Sequence, residues 1–92
     1  MDKKKIQLIE GSRYRIISLE SKDRPLISKG IFKGYTIIGN VDAICLELDE
    51  SHMELRGKMR IIPSHMVLCI DVISEVEEKK EEDEEVTSRY FG

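Results

Sequence analysis

A chain of 92 residues buries only about 60% of its unfolded surface on folding, so one core fits and a second is excluded. The formal net charge is −3, which is not the field of a protein built for duplex DNA. That charge is divided unevenly. Residues 1–74 carry 12 Lys and Arg against 10 Asp and Glu, a net of +2, whereas residues 75–92 carry three against eight, a net of −5.

No apolar run approaches the ~18 residues of a membrane-spanning helix. Met1-Asp2-Lys3-Lys4-Lys5 makes a basic start, but the polar residues Gln7, Glu10 and Ser12 interrupt the next stretch, so a secretory leader is not expected. Cys45 and Cys69 each sit inside an apolar run without a spacing motif. They are expected to be small buried hydrophobes in a reducing cytoplasm.

In chain order, residues 3–10 are expected to form two helical turns stopped by Gly11, with Ile6 and Ile9 on one face. So short a helix must pack on something, such as the open end of a barrel. Arg13 to Leu19 is rich in β-formers and gives the first strand. Ser21 to Pro25 gives a turn. Ile27 to Ile38 gives a long second strand, in which Gly30 and Gly34 mark a bulge or sharp bend. Gly39-Asn40 turns into a third strand, Ala43 to Leu48. Asp49 to Arg56 is a polar loop, Lys58 to Ile62 the fourth strand, Pro63 to His65 a tight turn, and Met66 to Ile73 the fifth strand. Five short strands with glycine-driven bending predict an all-β fold: a small, strongly bent five-stranded barrel over residues 1–74. Residues 75–92 have almost nothing to bury and repel themselves, which predicts a disordered acidic tail.

The spacing Gly30-x-Phe32-x-Gly34-Tyr35-x-x-x-x-Asn40 resembles the first signature of the Sm/Lsm family, in a diverged archaeal-type form. Thr36 replaces that family's aspartate, and Ile38 stands where many members carry a base-stacking side chain. The second signature, an apolar residue followed by Arg-Gly, is replaced by Ile61-Ile62-Pro63-Ser64-His65-Met66-Val67. The resemblance covers roughly residues 6 to 74 and selects an Sm-like barrel among SH3-like alternatives. It implies a homo-oligomeric ring of six or seven subunits with single-stranded, U-rich RNA at its pore. Asn40, Thr36 and Ile38 would stand at the base, Lys33 and Arg60 at the phosphates. Losing the aromatic and the arginine removes stacking worth ~1–3 kcal/mol per base, so binding is expected to be weak.

Catalysis is not expected. His52 and His65 lack a nucleophile and ordered base at recognisable spacing, and no phosphate-binding glycine loop is present. Asp49, Glu50, His52 and Glu54 form a solvated acidic loop, and no metal or other cofactor is expected. Met66, Val67, Leu68, Cys69 and Ile70 are apolar on both faces of the fifth strand. An edge strand usually carries charges that block pairing, so these residues are expected at an interface between subunits. The second reading is an assembly or adaptor module without nucleic acid. Arg60-Ile61-Ile62-Pro63 before an apolar strand also resembles the ending of PRC-type barrels. The acidic tail offers a site for a protein partner.

Overall fold

The computed structural model describes residues 7–77. Five strands form one antiparallel sheet: β1 (Arg13–Ser21), β2 (Arg24–Ile38), β3 (Val41–Leu48), β4 (Met59–Pro63) and β5 (Val67–Ser74), in the spatial order β4-β3-β2-β1-β5. Each strand pairs with a sequence neighbour except β5, which returns to lie against β1. The mostly β architecture is as expected. The barrel is not closed, because β4 and β5 do not pair with each other, and among the described residues both outer edges stay open.

Alternation along the strands builds the core. Tyr14 and Ile16 on β1 are buried, while Arg13, Arg15 and Ile17, which alternate with them, are partly exposed. Phe32, Ile44, Leu46, Leu48 and Ile62 complete the cluster. Each such apolar side chain contributes roughly 1.5–3 kcal/mol when fully buried. The sheet bends enough for Arg60 on β4 to reach past β3 and donate to Ser28 Oγ on β2 at 2.8 Å.

Two glycines in β2 make this bend possible. A Cβ on Gly30 would fall far inside van der Waals contact distance of the Glu47 carbonyl oxygen, so only glycine lets β3 approach there. Gly34, at φ +115°, follows a bulge: Phe32 faces Leu46 and Gly34 faces Cys45, leaving Lys33 without an opposite residue. The extra residue reverses the alternation. Tyr35 therefore lands on the same face as Phe32, their ring centroids 5.0 Å apart and edge to face.

Several expectations need correction. Gln7 to Glu10 is not helical. Its donors are taken by side chains instead: Ile9 N–H donates to the Tyr14 hydroxyl at 2.9 Å and Leu8 N–H to the Tyr35 hydroxyl at 3.3 Å. Residues 3–6 of the expected helix lie outside the described residues. Pro25 belongs to β2 rather than the turn, at a position where β3 does not reach and a missing N–H is tolerated. Asp49 to Arg56 is ordered as two turns of 3-10 helix over Glu50–Leu55. Met66 lies in a short 3-10 turn, Ser64–Met66, so β5 begins one residue later than expected. Cys69 is exposed and Cys45 only half-buried, since both point to the outer face of the sheet.

The fold also extends beyond residue 74. Tyr14 Oη donates to the Glu75 carboxylate at 2.9 Å, and Val76 N–H donates to Ser12 Oγ at 2.9 Å. Burial and the neighbouring Glu75 both push the Tyr14 hydroxyl above its ordinary pKa. The rest of the expected disordered tail, 78–92, lies outside the described residues.

Candidate assembly edges and hairpin site

Both rims of the sheet are apolar. On β4, Arg60 and Ile62 turn inward, while Met59 and Ile61 lie on the outer face opposite Glu47 and Cys45, about half exposed. On β5, Val67 and Ile70 pack against the core, while Leu68, Cys69, Val72 and Ile73 are exposed. The one charge within β5, Asp71, is bound by Arg15 Nε at 2.7 Å. Among the described residues, neither rim carries an outward lysine or a covering element; β4 is short and bears the inward Arg60 and the terminal Pro63. Of the expected interface residues, Leu68 and Cys69 are presented outward. Val67 and Ile70 support the strand from within, and Met66 lines a groove with Leu19, Leu26 and Ile61.

The candidate nucleotide residues do not form one cluster. Thr36, Ile38 and Asn40 stand on the β2–β3 hairpin, whose tip is the two-residue turn Gly39-Asn40 between Ile38 and Val41. Gly39 takes the left-handed conformation (φ +64°) and Asn40 does not, so Asn40 is free of that backbone demand. Ala43 faces Pro63 across β3 and β4, which sets the Ser64–Met66 turn at the same end of the sheet as this hairpin. Beside the tip, Tyr35, Thr36, Ile37 and Asp42 line an open depression. Lys33 and Arg60 are elsewhere: Lys33 Nζ lies 3.6 Å from the Glu47 carboxylate, and Arg60 is held by Ser28. The hairpin thus presents an amide and two exposed isoleucines without either expected cation.

A third region escaped the sequence. Asp49 organises the β3–β4 loop: its carboxylate accepts from Ser51 N–H at 2.9 Å, from Ser51 Oγ, and from Arg13 at 3.1 Å. The hydrogen bonds from Ser51, with help from the Arg13 charge, hold the Asp49 carboxyl below its usual pKa. His52 turns back so that its Nε2 accepts from Lys29 N–H at 2.9 Å. No spacing rule marks a histidine that bonds a backbone 23 positions away. Among the described residues, no group of three or more His, Cys, Asp or Glu is arranged to hold a metal ion. None of their helices is long and apolar enough to cross a membrane.

Compared with known proteins, the chain matches no family model, no curated protein and no solved structure.

Proposed function

We propose that the protein is an Sm-like assembly module in which β4 of one copy pairs with β5 of the next, closing head to tail into a homo-oligomeric ring. One observation carries this reading: two apolar strand edges, unpaired among the described residues, at opposite ends of one bent sheet. An exposed edge of that kind is a template for another strand, and two different edges on one molecule make a heterologous contact that a ring can close. In such a ring every subunit carries its β2–β3 hairpin at an equivalent position.

A second reading adds weak binding of single-stranded RNA at those hairpins. The exposed Asn40 amide favours it, placed at the same end as the β4–β5 turn. The engagement of Lys33 and Arg60 favours instead an adaptor ring without nucleic acid. Native mass spectrometry with and without oligouridine tests both. A multiple of the subunit mass supports the ring, and added oligouridine mass at low salt supports the RNA reading. With RNA bound, Asn40→Ala is expected to lose the preference for uridine while the salt dependence, about −0.7 per phosphate contact, stays unchanged. Retained uridine preference in that variant places recognition elsewhere.

A further inference from the structure

Where the β2–β3 ladder runs out, a side chain takes over from the backbone. The last ladder pair is Gly30 opposite Leu48. One step further, Asp49 N–H still donates to Lys29 C=O at 3.0 Å. The Lys29 N–H, however, finds His52 Nε2 at 2.9 Å in place of a carbonyl. An imidazole nitrogen accepts a hydrogen bond only when it carries no proton, so this contact requires neutral His52 with its proton on Nδ1.

We propose that His52 is a proton-operated latch, holding the β3–β4 loop on β2 where its ladder with β3 ends while neutral, and releasing it when protonated. The charges around the ring favour the closed form. Arg60 from β4 and Lys29 from β2 both oppose a second cation. Among the described residues, Asp49 on the loop itself is the facing group that would welcome a proton on His52, and its carboxylate is already shared by Arg13 from β1 and by Ser51. Burial first, then Arg60, pulls the His52 pKa below its ordinary value. A histidine depressed in the folded state adds stability that is present above its ordinary pKa. That stability is lost as pH falls through the lowered one.

The loop has a reason to move once released. Met53, next to the latch, adopts φ +56° with 80% of its surface exposed. That conformation is rare for a residue with a β-carbon and persists only where the surroundings impose it. Within the loop, His52 N–H to Asp49 C=O and Arg56 N–H to Met53 C=O are local bonds. Losing the His52 ring contact therefore leaves the Asp49 N–H to Lys29 C=O bond as the remaining hydrogen bond between this loop and β2 among the described residues.

The latch does not depend on assembly and is tested on the full chain by NMR between pH 8 and pH 5. The His52 ring is expected to titrate below the ordinary histidine value, and the Lys29 amide resonance to move with the same midpoint. Exchange at the Lys29 and His52 amides should rise about tenfold per pH unit of further protonation, relative to the intrinsic rate. His52→Gln keeps an acceptor but cannot titrate, so its Lys29 amide should be insensitive to pH over this range. A Lys29 amide that stays flat through the His52 titration overturns the proposal. So does one that tracks His65, on the β4–β5 turn, instead. If His52→Gln fails to fold, the titration of the unsubstituted chain decides alone.

Discussion

Ile44 and Ile61 lie on neighbouring strands, each inside a short apolar run, yet their surroundings differ completely. Ile44 on β3 is 5% exposed, between β2 on one side and β4 on the other. Ile61 on β4 has one neighbour strand and is 47% exposed. The same contrast separates β1 from β5, where Ile16 is fully buried and Leu68 stands out in solvent. Hydrophobicity along the chain does not distinguish these positions. What distinguishes them is the face each turns to: Ile44 and Ile16 point to the core, Ile61 and Leu68 away from it, and Ile62, beside Ile61 on the same edge strand, is 3% exposed. The central strands have both backbone edges paired, whereas among the described residues each rim has one backbone edge without a partner, with exposed apolar side chains beside it.

The sharpest way to break the central part is Gly30→Ala. Its methyl would meet the Glu47 carbonyl, and moving that backbone separates β2 from β3. The cost should exceed the ~1–3 kcal/mol of ordinary overpacking. Circular dichroism and urea titration are expected to show loss of the cooperative fold. A well-folded alanine variant would mean that the β2–β3 approach is looser than described.

Truncation sharpens where the complete part ends. Ending the chain after Glu77 retains the bonds from Tyr14 to Glu75 and from Val76 to Ser12, whereas ending it after Ser74 removes both. Part-buried hydrogen bonds of this kind contribute roughly 1 kcal/mol each. The shorter chain should melt several degrees lower than the longer one, on the scale of 4–8 °C per ~1 kcal/mol for a small domain. Equal melting temperatures would return the boundary to residue 74.

The smallest effect belongs to the loop. Asp49 has a depressed pKa, so its contribution is present above the ordinary carboxylate range and fades as pH falls through the lowered value. Asp49→Asn should lose under ~1 kcal/mol at neutral pH, since Arg13 is partly solvated. The difference from the unsubstituted chain should vanish in acid. A pH-independent difference would show that the carboxylate acts by shape and not by charge.

The strands are legible in the sequence because alternation and glycine placement are local. Gly30, Gly34 and Gly39 carry the bend, the bulge and the turn in one stretch. The N-terminal segment is misleading because Leu8 and Ile9 lie in a stretch with helical spacing, while tyrosine hydroxyls from β1 and β2 compete for their amides. Those partners are distant in sequence and leave no periodic trace. The His52 contact is invisible for the same reason. Charge alone points to Lys33 and Arg60, and the fold commits each of them to another side chain. Asn40 stays at an exposed tip, as its place in the Gly39-Asn40 turn implies.

Sedimentation velocity on two edge variants tests the central claim, alone and mixed. Ile61→Lys places a charge on the β4 rim and Leu68→Lys on the β5 rim, and exposed changes of this kind alter stability by only about 0.5 kcal/mol. The unsubstituted chain should sediment as a closed oligomer, and each variant alone should be monomeric. An equimolar mixture should form a one-to-one dimer, because each variant keeps the one edge that the other has lost. An unsubstituted chain that stays monomeric at micromolar concentration, or a mixture that stays monomeric, would contradict head-to-tail pairing of β4 with β5.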